Sequence, residues 1–591
     1  MGAVAPRTAA TIEVEATRPA KLANERSAQI GRVVRCTPGS GRRGIVRDLI
    51  ENGLAADDPS LVLVAAGACG SGSEAKPVAT GAPVPARPTL TVLAAAEVRG
   101  QLGPCGCTSD PLGDIARTAR LVAEARAAGP TLFVDAGSLL YSKAPIPPEL
   151  AVQEDRKAAL LVQTYRDALR VDALGLGPAD LARGDGQLGL PRLAANAPGV
   201  AEPAKLIDAG GAKVGVLGVI APDAVHGLTV GDPVAAGKQA VAKLRGQGAQ
   251  LVIGLIQAAS KRDAARLVRE IGGIDLAIGG LGQAAPEPGE IEISAQRIGD
   301  GWLVLPGNRG QVLSRIDVTL RGPGPLVDAI GPAAAEARAG ALSRELDKLD
   351  ADLAAFAKDA TADRAFVAQK QRERDQLAAE RQRLRGQPLV VPARGSYFTL
   401  SQVRIHKGLA CEPRVQDAVS AFYHAVGEAN ARAAAAMPVA APAKGAASYT
   451  GGEACADCHD DAAQFWGKTV HAQAWKTLVD RGQELDYDCI GCHVTGWARP
   501  GGANLGHNDK LRDVQCETCH GPGSIHVAKG GKERPLAILK APAPELCASQ
   551  CHTKEHSDTF QLEAYLRDVV GPGHGADRRA QLGEGPTGAQ L

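Results

Sequence analysis

From Thr89 onward the chain alternates short aliphatic runs with amphipathic stretches. Runs built mainly of Val, Leu, Ile and Ala stand at Leu90–Ala94, Thr131–Asp135, Val171–Leu174, Lys213–Ile220, Gln250–Ile256 and Ile274–Ile278. Each has the length of a strand. Between them, apolar positions recur at helical spacing in Ile115–Ala127, Asp155–Leu169, Val234–Leu244 and Arg262–Ile271. Strands that alternate with helices in this way predict a layered α/β domain. From Glu290 to Leu320 the helical spacing stops and strand texture dominates.

A different pattern follows. Leu342, Leu346, Leu349, Leu353 and Phe356 recur at spacings of four and three, and Val367, Leu377 and Leu384 keep the same frame. The frame breaks near Lys358–Arg364, which predicts an antiparallel helical hairpin, with one long coiled coil as the alternative. Another amphipathic helix is expected around Val415–Ala436, followed by an Ala/Pro linker. The expected division is a leader at 1–69, a Pro/Gly/Ala tether at 70–88 and the α/β domain at 89–325. A helical hairpin and spacer at 332–436, a linker at 437–448 and a cysteine-rich domain at 449–580 complete it. The fold class is therefore α+β multidomain: a layered α/β domain, a helical spacer, and a mainly α domain with little regular structure.

Composition limits what the chain can do. At 591 residues it is too long for one core. Lys and Arg total 66 against 65 Asp and Glu, which gives no electrostatic reason to expect nucleic acid as a partner. Aromatics are only 3%, so the cores must rest on aliphatic side chains. In the leader, Ser60–Ala68 is a short apolar run before Cys69. It is similar to a bacterial lipoprotein signal, with Cys69 as the lipidated residue. Asp57 and Asp58 stand where basic residues belong, which points to a misassigned translation start. No run reaches the roughly 18 apolar residues of a spanning helix.

The chemistry is concentrated near the C-terminus, where eight of the 13 cysteines fall between Cys455 and Cys551. Three stretches read Cys-x-x-Cys-His: Cys455–Cys458–His459, Cys489–Cys492–His493 and Cys516–Cys519–His520. A fourth, Cys547–Cys551–His552, has one extra residue. Two thiols one helical turn apart can add to the two vinyl groups of one heme, and the following His then meets the iron. Zinc sites also use paired cysteines, but they do not require a His directly after each pair. The reading is four covalent c-type hemes with His459, His493, His520 and His552 as proximal ligands. The histidines left to supply second axial ligands are His471, His507, His526, His556 and His574. A domain this small buries little apolar surface of its own, so the hemes are expected to complete its core.

The stretches QFWGKTVHAQAW, DCIGCHVTGWARPGG and VQCETCHGPGSIHV resemble the tetraheme cytochromes that accept electrons from hydroxylamine oxidoreductase. The resemblance spans roughly Thr450–Gly575. It implies that His526 caps the heme of His459, His471 that of His520, and His574 that of His552. It leaves the heme of His493 open. The longer fourth motif departs from the family, and so does His507, which could close the open face.

The stretches RGQLGPCGCTSDPLGDIARTARLV, LFVDAGS, VDALGLGPADLARG, KVGVLGVIAPD and IDLAIGGLGQ resemble calcineurin-like metallophosphoesterases of the 5′-nucleotidase type. That family's chemistry needs two metal ions held by His, Asp and Asn. Here Glu97-Val98-Arg99 replaces its Asp-x-His, Ser138 its second turn Asp, Gly177-Pro178-Ala179-Asp180 its Gly-Asn-His-Glu, and Gly280-Leu281-Gly282-Gln283 its Gly-His-x-His. His226 is the only His between Thr89 and Leu320. The expectation is the fold without phosphoesterase activity, Asp135 and Asp180 serving as caps or turn residues. Cys105 and Cys107 are read as a structural disulfide, with Cys411 as a candidate partner, or as redox-active or partner-binding residues.

Together these readings imply an extracytoplasmic electron carrier that exchanges electrons with redox partner proteins, a quinol-oxidase-side donor or a terminal reductase. The alternative is a heme oxidoreductase acting on a small nitrogen or sulfur compound at the His493 heme. The expected location is extracytoplasmic in a Gram-negative bacterium, either periplasmic or anchored to the membrane as a lipoprotein through a lipid on Cys69.

Overall fold

The computed structural model describes residues 88–591 except 105–110, 185–188, 293, 330–331, 358–363, 387–390, 437–439, 508, 554–555, 558–559 and 591. Cys69, Cys105 and Cys107 therefore lie outside the described residues, as does the leader. What is described belongs to one compact unit, Arg87–Leu591.

Two six-stranded mixed sheets lie at its centre. The first begins with β1 (Leu90–Ala95), α1 (Ile115–Ala128), β2 (Thr131–Asp135), α2 (Ala151–Asp167) and β3 (Ala173–Leu174). The second contains β4 (Ala204–Ala209), β5 (Ala212–Ile220), α3 (Pro233–Gly246), β6 (Leu251–Gln257), α4 (Lys261–Ile271), β7 (Leu276–Gly280), β8 (Gln296–Ile298) and β9 (Gly301–Val304). The chain then returns to the first sheet with β10 (Val312–Thr319) and β11 (Val327–Asp328). Helices α5 (Pro332–Phe356) and α6 (Arg364–Gly386) come next, then β12 (Tyr397–Arg404) and α7 (Pro413–Ala435). The strand orders are β11-β12-β10-β1-β2-β3 and β4-β5-β6-β7-β9-β8.

Burial explains these elements. The parallel strand β6 (LVIGLIQ) is buried at every position, as a strand covered on both faces must be. Leu90, Val92 and Val134 of the first sheet pack against Val216, Ile253 and Ile278 of the second, so the sheets lie face to face. Helices α1, α2 and α7 cover the outer face of the first sheet through Val122, Leu161 and Val419. Helices α3 and α4 cover the second through Leu244 and Leu267. The result is four layers: helix, sheet, sheet, helix. Local signals fix the helix starts. Asp114 accepts from Ala116 N at 2.8 Å and Asp232 from Val234 N at 2.8 Å, with Pro233 opening α3.

The α/β layers do not end at residue 325. Strand β12 pairs with β10 along its whole length, from Val312↔Arg404 to Thr319↔Tyr397. The hairpin is thus an insertion ahead of the last strand of the first sheet. Its helices run antiparallel, since Arg374 meets Asp350 and Arg385 meets Glu336.

Beyond α7 the chain forms short helices: α8 (Gly452–Ala456), α9 (Asp460–Trp466), α10 (Ala474–Val479), α11 (Tyr487–Ile490), α12 (Cys516–His520), α13 (Ser524–Ala528), α14 (Leu546–Gln550), α15 (Leu562–Val569) and α16 (Ala576–Gln581). Their buried cluster is small: Ile490, Val494, Ala503, Leu505 and Leu511, with Ala434 of α7. Among the described residues no helix is long and apolar enough to cross a membrane.

Candidate heme centre

Each Cys-His motif sits on one tight turn. In the first, His459 N–H donates to the Cys455 carbonyl at 2.9 Å, a step of four residues. The third lies within α12. In the second, Cys492 N–H donates to Cys489 O at 3.3 Å and His493 N–H to Ile490 O at 2.9 Å. The fourth absorbs its extra residue by widening the turn: His552 N–H reaches back five residues to Cys547 O at 2.8 Å. A reach of this kind just past a helix C-terminus is a π-turn. It returns His552 to the carbonyl of the motif's first Cys, as in the first motif.

The imidazoles are held by their Nδ1 atoms. His493 Nδ1 lies 2.5 Å from Ala474 O, His520 Nδ1 2.7 Å from Leu539 O, and His526 Nδ1 2.7 Å from Glu533 O. His552 Nδ1 lies 3.3 Å from Ser557 Oγ. An imidazole that binds metal through Nε2 is oriented by such a partner on Nδ1. Burial pushes the His552 pKa down to about 4, reinforced by His471. Burial also lowers His471, His493 and His574. These rings are therefore neutral at neutral pH, the form that binds a metal.

Two pairs of imidazoles face one another. The ring centres of His471 and His552 are 6.2 Å apart, and those of His520 and His574 are 6.5 Å apart. Two metal–nitrogen bonds of about 2.0 Å, with about 1.1 Å from each nitrogen to its ring centre, span about 6.2 Å. Ring-centre distances of this size are compatible with one metal ion between each pair. His471 stands by His552 and His574 by His520, whereas the family resemblance pairs His471 with His520 and His574 with His552. Phe560 stacks on His552 at 4.5 Å between ring centres. His507 is exposed, in a turn closed by its own N–H on Asn504 O at 2.9 Å. His556 Nδ1 is 2.9 Å from Thr553 Oγ1.

The thiols of different motifs also meet. Cys455 hydrogen-bonds to Cys516, which raises the Cys455 pKa and lowers Cys516 to about 7. Cys492 is lowered by its hydrogen bond to Cys551. The first motif thus adjoins the third, and the second adjoins the fourth. Glu517, between the two cysteines of the third motif, ties it to the first. Its buried carboxylate accepts from Thr450 N at 2.9 Å, Gly451 N at 2.8 Å and Gly523 N at 2.6 Å. Nothing in the sequence signals this role.

Residues 454–521 match the family model for cytochrome c554 and c-prime. Cytochrome c-554 of Nitrosomonas europaea is 36% identical over 93 residues, covering 13% of this chain and 40% of that protein. The match thus spans well under half of the cytochrome it resembles. It supports a multiheme c-type cytochrome, and hence heme c, in the C-terminal region. Among solved structures, the 5′-nucleotidase precursor of Thermus thermophilus is similar at a TM-score of 0.39 and 16% identity, over 60% of this chain and 61% of that one. The calcineurin-like phosphoesterase YfkN of Bacillus subtilis has a TM-score of 0.32 and 23% identity, over 40% and 86%.

At the strand ends of the α/β domain the residues do not fit a dimetal centre. Asp180 accepts from Ser138 N, Leu139 N and Leu140 N at 2.8, 2.8 and 3.1 Å and from Gly177 N at 3.0 Å. The buried guanidinium of Arg192 completes its shell at 2.9 Å. Asp135 is taken by the Tyr165 hydroxyl at 2.7 Å and Gly137 N at 2.8 Å. Gln257 Nε2 donates to Glu97 Oε1 at 2.9 Å and Ala136 O at 3.1 Å. A Cβ on Gly280 would lie 2.1 Å from that nitrogen, so Gln257 fills the space at the end of β7. Among the described residues no group of three or more His, Cys, Asp or Glu side chains is arranged to hold a metal ion.

Proposed function

We propose that this chain is an extracytoplasmic electron carrier that binds four hemes covalently. Cys455 and Cys458, Cys489 and Cys492, Cys516 and Cys519, and Cys547 and Cys551 hold them, with His459, His493, His520 and His552 on the irons. The observation that supports this reading is the closeness of His471 to His552 and of His574 to His520, at ring-centre distances compatible with an iron between them. His526 is the second ligand assigned to the His459 heme. Heme iron, when bound, supplies one-electron chemistry between ferric and ferrous states. Two neutral His ligands fill both faces of such an iron, which suits electron transfer and blocks substrate binding. The crossed thiols support an order in which the first heme neighbours the third and the second neighbours the fourth. Covalent attachment of this kind takes place outside the cytoplasm in c-type cytochromes, which argues for a periplasmic protein, soluble or anchored through Cys69. Donor and acceptor are redox proteins, and phosphoesterase activity is not part of the role.

A second reading draws on the same pairing. With His471 and His574 committed elsewhere and His507 exposed, the heme of His493 keeps an open face, where a small nitrogen or sulfur compound could react. Absorption and EPR spectra of the heme-loaded protein, with and without carbon monoxide, test both. Four low-spin hemes that ignore carbon monoxide support the carrier and exclude the second reading. One high-spin heme in four that binds carbon monoxide supports an open site. A chain that carries no covalent heme overturns both.

A further inference from the structure

The second heme turn is built partly by the α/β domain. Asp486 opens α11: its carbonyl accepts from Cys489 N at 3.1 Å and its Oδ1 from Asp488 N at 2.9 Å. Both aspartates are reached from α2, more than three hundred residues earlier in the chain. Gln153 Nε2 donates to Asp486 Oδ1 at 2.5 Å and Asp488 Oδ2 at 3.1 Å. Gln153 Oε1 accepts from Asn430 Nδ2 of α7 at 3.0 Å and from Tyr487 N at 3.3 Å. Lys157 Nζ donates to Asp488 at 2.6 Å and to Glu154 at 2.6 Å, and Glu154 in turn accepts from Ser142 N at 2.8 Å. Gln153, Glu154, Lys157, Asn430 and Asp486 are all buried. Burial opposes a charge on Lys157, yet Asp488, Glu154 and Asp486 hold its pKa well above the usual value.

Two packed surfaces do not need such a network. Buried ions are costly to desolvate, and apolar contacts would join the layers as well; what directional hydrogen bonds add is a fixed register. The network acts on the turn that carries Cys489, Cys492 and His493. The corresponding tie on the first and third turns, Glu517, lies within the cytochrome segment itself. We propose that the α/β domain is a clamp on the second heme, with Gln153 and Lys157 as positioning residues that set the orientation and redox potential of the heme on His493. This rests on the heme reading above and gives the phosphoesterase-like layers a role that needs no metal.

The test uses the full, heme-loaded chain. Intact mass counts the hemes, a redox titration resolves four potentials, and EPR reports each iron's ligand field. Lys157→Met removes a positive charge beside one heme, so one potential moves in the negative direction while three stay. Lys157→Arg restores it. Gln153→Leu changes the EPR signature of the same heme without changing charge. If Lys157→Met does not fold, Asp488→Asn carries the test with the opposite sign. A Cys489→Ala, Cys492→Ala protein must lack the potential that moves. Four unchanged potentials in Lys157→Met or its Asp488→Asn substitute, or a common shift of all four, would overturn the clamp. Wild-type protein without heme at the second motif would instead defeat the function proposed above, so the two failures are distinguishable.

Discussion

The His471 and His552 rings lie 6.2 Å apart between ring centres. His574 takes the complementary place beside His520 at 6.5 Å. The expected outcome of His471→Ala is therefore a high-spin signal from the fourth heme, and of His574→Ala one from the third. EPR in a background lacking one heme separates the possibilities. With Cys547 and Cys551 replaced by Ala, His471→Ala should add no high-spin iron. If it still does, the ligand pairing is the one that the family resemblance assigned.

The five-residue reach from His552 N–H to Cys547 O returns His552 to the carbonyl of its first Cys, as His459 N–H returns to Cys455 O in the first motif. Intact-mass measurement is expected to show four covalent hemes, and Cys551→Ser to leave its heme attached through one thioether. In heme-free chain that keeps this arrangement, Cys455 lies beside Cys516 and Cys492 beside Cys551. Air oxidation should then yield disulfides between motifs, detectable by peptide mapping without reductant. Disulfides only within each Cys-x-x-Cys pair would contradict that arrangement.

Much of this was legible in the sequence because it is local. Strand runs such as Thr131–Asp135 and helical runs such as Val234–Leu244 report on neighbours a few residues away. The heme turns are local too, which is why their spacing announces them. What the sequence does not display is long-range pairing. Strand β4 is an edge with a broken burial pattern, and β12 lies beyond a hairpin that masks its membership of the first sheet. The neighbours of His471 and His574 are of the same kind: which His lies beside which motif is decided only when the fold brings them together. Gln153 and Glu517 carry no motif at all, and their roles come from what they touch.

The Glu517 carboxylate satisfies three backbone N–H groups that flank two different motifs. Hydrogen bonds to a charged acceptor contribute about 1.5–3 kcal/mol each, and buried donors left without one cost about 1–3 kcal/mol. Glu517→Ala should therefore destabilise the heme-loaded protein by about 3 kcal/mol or more. Glu517→Gln keeps one acceptor and should lose less. Thermal melts followed at the heme absorption band measure the difference. Equal melting temperatures for all three proteins would show that the tie contributes nothing.

Glu97 makes the α/β domain sensitive to pH. Burial pushes its carboxyl from 4.5 to about 7, against the hydrogen bond from Gln257. The folded state therefore holds a proton that the unfolded chain releases. Stability from this group is fully present below pH 4.5 and is lost as pH rises through about 7. At about 1.4 kcal/mol per unit, the loss approaches roughly 3 kcal/mol. Glu97→Gln stays neutral and keeps an acceptor for Gln257. Its unfolding free energy should thus fall less steeply between pH 5 and 8 than that of the wild type, by about that amount. Asp135, raised by burial to about 6, leaves a residual slope in both proteins. Urea denaturation at several pH values, followed by far-UV circular dichroism, gives the two slopes. Parallel slopes would mean that water reaches Glu97 and that the strand-end cleft is not sealed.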